Sequence, residues 1–521
     1  EDEKFEGAFV KVPLVGIHEH VVDLDFTSLY PSLIQTYNIG INTFVMKFDD
    51  FRMGYDFAYQ PDILPDKIKV IVDPVYSNHP REVSKDDLLK KVKDSNLIYT
   101  INGCFYLPQS KEVSIYSEVL DLIMGSRKKY KKVALNKEEE LTKLKKENAD
   151  EKKQKEVESD RDLNDNRQKV YKILANSIYG VLGNHVFRFF NTDCARSVTL
   201  SGQEMIKASI IEADKYVDFI KTKKHERPKP VLKEEMYTEE MTRETKNIIT
   251  GDTDSLFITY ENIKDNVTIK DMDEWNKKIQ DFLNKELVSE LVKRHNVDMK
   301  YSRLELKNEL LINRGLFLAK KRYALHVIRR EGKMIDEVQV KGLETRRSDY
   351  PSYSKVCIKE LLDLILKSEK VPLKKIMEFV KGKESDFLEK IKSGNKSVAR
   401  PCSWTKKLSE YKVLSQGVKA MQNWNDLVYP IHAVGAKGYL YKLKGIDLDK
   451  APKEVVDKYN KEFLGKGRKL EVIAIPDEEE KLPEYFIVDV KEMLEFSWKD
   501  RYGLILDPLT QVKESDKVLT F

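Results

Sequence analysis

Apolar and acidic residues alternate between Val21 and Asp25. A period of two puts Val21, Asp23 and Asp25 on one face of a strand, with Val22, Leu24 and Phe26 on the other. Pro31 then suits the first turn of a short helix, with Thr27 or Ser28 as its cap. From about residue 117 to residue 180 the pattern is helical and free of proline. Asn148-Ala149-Asp150 gives the one convincing turn there, so the stretch predicts a long helical hairpin. Residues 137–161 are almost wholly charged and read as its solvated tip. A second polar stretch, 221–247, holds Pro228 and Pro230 and predicts an extended loop. After it, residues 247–249 and 256–259 flank Gly251-Asp-Thr-Asp254 and read as a β-hairpin. Beyond about Arg347 the pattern is mostly helical, as at 354–366, with strand at 436–444 and 470–475.

A chain of 521 residues exceeds one compact core, and about three subdomains are expected. Its 41% apolar and 34% charged residues describe a globular protein with a highly charged surface. A net charge of +5 is small for a nucleic-acid binder, so any DNA-binding surface must be local. Cys104, Cys194, Cys357 and Cys402 lie far apart without metal-ligand spacing and read as reduced thiols of an intracellular protein. No apolar run is long enough for a bilayer and no secretory leader is visible, so no membrane role is expected. The first residue, Glu1, fits a processed or an excised chain.

Chemistry enters through two groups of residues. Asp25 ends its strand, and alternation aims Asp252 and Asp254 the same way from the hairpin turn. Carboxylates from separate segments meeting at a rigid point can hold two divalent ions about 4 Å apart for phosphoryl transfer; a Gly-Asp-Thr-Asp stretch is also simply a good turn. In the helical hairpin, Arg127 lies 22 residues before Ala149 and Lys172 lies 23 after it. Antiparallel helices make them neighbours, about 33 Å from the tip. Arg127 and Lys131 share a face, as do Lys172 and Asn176, with Tyr179 just beyond. Three converging cations suit a polyphosphate, and two exposed basic faces would read the same way. Backbone N–H groups around Ser28 and Leu29 could also cradle phosphate oxygens.

Asp25-Phe-Thr-Ser-Leu-Tyr-Pro-Ser32, Lys172-Ile-Leu-Ala-Asn-Ser-Ile-Tyr-Gly180 and Gly251-Asp-Thr-Asp-Ser255 resemble, in this order, motifs A, B and C of family B DNA polymerases. The resemblance implies an α+β right-hand fold. Its palm would span 1–115 and 186–345, with a helical-hairpin fingers region at 116–185 and a mostly helical thumb and tail at 346–521. It implies DNA-templated DNA synthesis with dNTPs and two magnesium ions, which Asp25 and Asp254 would ligate directly and Asp252 in a lesser role; Asp23 is outside the motif. Arg127, Lys131 and Lys172 match the positions that bind the triphosphate, and Asn176, Tyr179 and Gly180 would lie near the nascent base pair or the template. Tyr30 matches the steric gate that excludes a 2′-hydroxyl. Lys320-Lys-Arg-Tyr323 is similar to the family's KKRY motif, placing Lys321, Arg322 and Tyr323 on primer–template DNA. Gly342-Leu-Glu-Thr-Arg-Arg347 adds Arg346 and Arg347 at the duplex backbone, and Glu305 is a further acidic candidate near the metals. Such phosphate contacts weaken steeply with salt.

Phe5-Glu-Gly-Ala-Phe-Val-Lys-Val-Pro13 and residues 498–509 resemble T-even bacteriophage polymerases, which implies the cytoplasm of an infected cell. Only 24 residues precede Asp25, too few for the exonuclease carboxylates of the family. No proofreading by this chain alone is therefore expected, with a separate chain supplying the exonuclease or the polypeptide having been trimmed. Val518-Leu-Thr-Phe521 reads either as a sliding-clamp peptide or as a frayed end. Two rivals stand beside this reading. One is a catalytically silent DNA-binding scaffold, against which the full set of Asp25, Asp254, Lys172 and Arg127 argues. The other is a protein-primed polymerase, whose large insertions beside the fingers are not seen.

Overall fold

The alternating run at Val21 forms strand β1 (Gly16–Phe26) in a computed structural model that describes residues 6–147, 150–223, 227–230, 237–343, 350–368 and 373–499. The chain divides into two units. The first takes Glu1–Leu14, Glu19–Leu311 and Arg329–Met334; the second takes Val15–His18, Ile312–Ile328 and Ile335–Phe521.

In the first unit, β1 leads into helix α1 (Leu29–Thr36). The helices α2 (Ile115–Lys146), α3 (Glu151–Leu182) and α4 (Thr192–Thr222) follow. Strands β2 (Ile248–Asp252) and β3 (Ser255–Thr259) come next, and β4 (Leu306–Ala319) begins in this unit. Strands β2, β3, β1 and the start of β4 lie side by side in that order. Alternation along β1 does not yield one wet and one dry face. Val21, Val22, Leu24 and Phe26 are all fully buried, and Asp23 is buried too. The reason is position: β1 is an inner strand, and α4 packs across β2, β3 and α1. A separate five-stranded sheet is built from Phe44–Phe48, Lys67–Val72, Pro80–Ser84, Ile98–Tyr99 and Cys104–Tyr106. It has its own core around Met46, Phe48, Phe57 and Phe105.

Helices α2 and α3 form the expected hairpin, and the residues at its turn, Asn148 and Ala149, lie outside the described set. Two contacts set their register. Tyr130 stacks on Tyr171, with ring centroids 5.6 Å apart and planes at 13°. Arg161 donates to Glu138 at 2.8 Å. Glu138 and Arg161 each stand 11 residues nearer the tip than Arg127 and Lys172, so the same pairing that joins the first couple brings the second abreast. Ser114 caps α2 and Asp150 caps α3, each accepting a backbone N–H two residues on.

Beneath α4 lies a buried charged group. Glu204 accepts from Tyr59 and faces Nε2 of His295 at 2.9 Å, while Arg294 stacks over the Tyr59 ring at 4.2 Å. Burial alone would raise the Glu204 carboxyl, but His295, Tyr59 and Arg294 outweigh it and hold it below the usual carboxylate range. A lowered folded-state pKa contributes stability that is present above the unfolded carboxylate value and lost as pH falls through the folded one. Glu204→Ala is expected to cost about 3–5 kcal/mol, because it strands buried partners. Urea unfolding of both proteins between pH 7 and pH 3 checks this: the gap should close toward acid.

The second unit packs helices Ser352–Lys367 and Leu373–Lys392 with a four-stranded sheet. Arg400–Ser403, Lys437–Ile446 and Val472–Pro476 are neighbours in that order, and Phe486–Val488 pairs with the far end of the middle strand. Helix Gln416–Leu427 lies on Val472–Pro476. Trp424, Tyr441 and Trp498 fill the core. Helix is therefore only part of this region; alternation in Gly438-Tyr-Leu-Tyr-Lys-Leu443 makes a strand that gathers three others around it. The rest of β4, with β5 (Arg322–Arg330) and β6 (Lys333–Lys341), completes the unit, apart from the β5–β6 turn, which belongs to the first. All four cysteines are free thiols, and among the described residues no helix is long and apolar enough to cross a membrane.

Candidate active site

Register brings the two leading carboxylates together. Asp25 pairs with Ser255 across β1 and β3, and the N–H of Phe26 donates to the carbonyl of Asp254 at 2.8 Å. Both aspartates line one cavity of about 660 Å³ in the first unit. The turn that presents Asp254 is tighter than an ordinary hairpin turn. The Asp254 N–H donates back to the Asp252 carbonyl at 2.7 Å, and Thr253 sits at φ +66°. That is a γ-turn with a β-branched residue in left-handed backbone, strained by about 1–3 kcal/mol. The Thr253 N–H is held by the Phe9 carbonyl at 3.0 Å. Asp252 is buried at the end of β2, accepts from the Thr253 hydroxyl at 3.1 Å, and is not among the residues lining the cavity.

Opposite these carboxylates the hairpin supplies Arg127, Lys131, Lys172, Asn176 and Tyr179, all lining the same cavity. Arg127 Nη1 donates to Ser28 Oγ at 3.0 Å, while its Nε is buried with no hydrogen-bond partner. Burial lowers the Arg127 pKa, and Glu331 partly offsets this. A guanidinium lining a polar cavity is a group that an anionic oxygen can pair with. Lys131 Nζ reaches both oxygens of Glu331, at 3.0 and 3.1 Å.

Ser28 stands at the N-cap of α1, but not as the expected cap. Its backbone is left-handed (φ +50°) and its hydroxyl makes no capping bond, serving Arg127 instead. Tyr30 packs against Tyr179 with ring centroids 4.6 Å apart. Burial, then Tyr179 and Asp254, push its phenol well above the usual value, so it stays a neutral ring. A Cβ added to Gly202 of α4 would come within 3.3 Å of the Tyr30 ring. That glycine leaves the space the ring occupies.

Several lining residues were given no place in the site by the sequence reading: Thr27, Thr253, Lys307, Asn308, Glu309 and Glu331. Glu331 has a sequence signal, an acidic residue before Gly332 in a tight turn, but nothing in the sequence aims it at the hairpin. Glu305 does not line the cavity; its carboxylate pairs with Lys307 at 2.9 Å.

In the second unit, Lys321 is exposed at φ +61° and Arg322 is half-buried. The Tyr323 ring is buried against Phe317, with Lys341 over its face at 5.5 Å. A Cβ on Gly342 (φ +65°) would meet the Lys321 carbonyl at 1.9 Å, so that glycine is what lets the basic turn close. Arg346 and Arg347 lie outside the described residues, as do residues 500–521 with the C-terminal peptide.

Magnesium takes oxygen ligands and is commonly held by one or two carboxylates plus substrate phosphates, not by a complete protein cage. Asp25 and Asp254 supply two such carboxylates on one cavity, and no group of three His, Cys, Asp or Glu side chains converges among the described residues. The donor set fits a hard divalent cation shared with a phosphate ligand.

The model of DNA polymerase family B matches residues 1–418. A DNA polymerase of Archaeoglobus fulgidus is 26% identical over 437 residues, 82% of this chain and 39% of the relative. The DNA polymerase delta catalytic subunit of Candida albicans is 27% identical over 391 residues, 74% of this chain and 28% of the relative. The DNA-directed DNA polymerase of Enterobacteria phage T4 is 24% identical over 421 residues, 74% of this chain and 43% of the relative. The chain thus spans less than half the length of each of these relatives.

Proposed function

The chain belongs to DNA polymerase family B, and from that premise we propose that it extends a DNA primer on a DNA template with deoxynucleoside triphosphates. One observation carries the reading: Asp25 and Asp254 share a cavity with Arg127, Lys131 and Lys172. In this reading the first unit holds the fingers and most of the palm, and the second holds the thumb together with the palm residues 312–328 and 335–345. The primer 3′-hydroxyl oxygen attacks the α-phosphorus in line, its proton is lost, the bond to the β-phosphate oxygen breaks, and pyrophosphate leaves. Two divalent ions, magnesium in this reading, bound at Asp25 and Asp254 would stabilise the nucleophile and the triphosphate charge. Arg127, Lys131 and Lys172 orient the triphosphate, and the backbone around Ser28 and Leu29 adds N–H donors. Asn176, Tyr179 and Gly180 sit by the nascent base pair. Lys321 and Arg322 hold duplex phosphates, so binding falls steeply with salt. Asp252 supports the turn that aims Asp254. Kinship with T-even phage polymerases in particular is supported by Phe5-Glu-Gly-Ala-Phe-Val-Lys-Val-Pro13 and by a phage T4 relative among the matches.

Primer extension by the purified chain with Mg²⁺ and four dNTPs tests the proposal: labelled primer should lengthen to the template end. A protein that neither extends nor binds primer–template overturns it. Tyr30 also gives a sharper expectation. Its neutral ring would lie under the incoming sugar, where a 2′-hydroxyl clashes. Tyr30→Ala is expected to raise ribonucleotide incorporation by about tenfold or more, a modest steric discrimination removed. Alkali cleavage of the extended product measures it, and unchanged sugar selection would remove the assignment.

A further inference from the structure

Two of the hairpin cations are already engaged by protein groups of the cavity lining. Arg127 donates to Ser28, and Lys131 holds both carboxylate oxygens of Glu331 at 3.0 and 3.1 Å. Glu331 is not placed there by a floppy loop. It sits at φ +43° in the two-residue turn with Gly332 (φ +81°), and its N–H is tied to the Glu309 carbonyl at 2.9 Å. A glutamate in left-handed backbone costs stability. The position is therefore one the fold sustains against local preference. The lining holds four acidic residues (Asp25, Asp254, Glu309, Glu331) and four basic ones (Arg127, Lys131, Lys172, Lys307), a balance of zero that Glu331 completes. Its pair with Lys131 is half-exposed on both sides, 55% and 41%, and so is weak enough to exchange.

We propose that Glu331 is an internal competitor for the triphosphate: its carboxylate occupies Lys131 until a terminal phosphate displaces it, and so sets the nucleotide concentration at which the site fills. This rests on reading the cavity as the triphosphate site. A polyphosphate carries several charges where Glu331 carries one, so it wins the exchange, while weaker anions meet a cation that is already satisfied.

The test uses the full chain with Glu331→Gln, and with Glu331→Asn as a second variant because asparagine tolerates left-handed backbone. Binding of inorganic tripolyphosphate is measured by calorimetry, and KM and kcat for the correct dNTP by primer extension. Both variants should bind tripolyphosphate more tightly and lower KM by about two- to fivefold, the range an exposed ion pair can supply. The gain should sit in KM more than in kcat and shrink with added salt. In a Lys131→Ala background the substitution should do nothing, since the competition is for that lysine. Unchanged or weaker tripolyphosphate binding in both variants overturns the proposal, as does a gain that survives Lys131→Ala. The two readings fail separately. Wild type that extends primers while the variants bind no better defeats the competitor and leaves the polymerase. Tighter polyphosphate binding in a chain that extends nothing keeps the competitor and defeats the polymerase.

Discussion

Asp254→Ala is expected to cut primer extension by about a thousandfold or more, the loss of several kcal/mol of transition-state stabilisation that follows if this carboxylate holds metal as proposed. Primer–template affinity should stay near wild type, because Lys321 and Arg322 stand in the other unit. Stability should not fall. Asp25 and Asp254 present like charges to one cavity, so removing one relieves repulsion. The bonds that close the Thr253 turn and tie it to β1 are made by the backbone N–H and carbonyl of Asp254, which the substitution keeps. Melting with and without Mg²⁺ supplies a readout apart from turnover. Mg²⁺ should raise the wild-type midpoint, as any ligand of the native state does, and leave the variant's unmoved. An active variant, or one that Mg²⁺ stabilises as well as wild type, would show that the metal sits elsewhere.

Lys172→Ala is expected to lower kcat/KM for the nucleotide by about a hundred- to a thousandfold, the scale of removing one charge-stabilising donor from a preorganised site. Lys172 lines the cavity from α3, abreast of Arg127 on α2, and in the proposed reading the two helices would each bring a cation to the triphosphate. Part of the loss should fall on kcat, since charge grows on the departing pyrophosphate as the bond breaks. Pre-steady-state extension over a range of dNTP concentrations separates the two. A pure KM effect would make Lys172 a ground-state binder only, and no effect would take it out of the site.

The hairpin helices were legible because nothing in residues 117–180 interrupts a helix and one turn punctuates it, and the pairing of Arg127 with Lys172 followed from counting alone. The Gly251-Asp-Thr-Asp254 hairpin was legible as well, since turn residues between apolar runs are a local signal. What escaped is non-local or lies in backbone torsions. Alternation in β1 assigned its residues to two faces but not their burial, and α4 and the neighbouring strands cover both. Ser28 looked like a helix cap, yet its hydroxyl answers Arg127 from 99 residues away. Glu331 reaches Lys131 from 200 residues away, a meeting that no window of sequence contains. The strain at Thr253 likewise depends on Phe9 holding its N–H. Sequence marked which chemistry was present; tertiary contacts decided which groups already hold one another.

The hairpin has the proportions of a lever arm. Each of its helices has 32 residues, about 48 Å of rod. Tyr130–Tyr171 and Glu138–Arg161 clamp the two rods together along their length, so any tilt would move the pair as one body. A tilt of about 10° pivoting at Arg127, about 33 Å from the tip, would carry the tip through roughly 6 Å. A dye attached at that tip, well away from the chemistry, would report such a tilt.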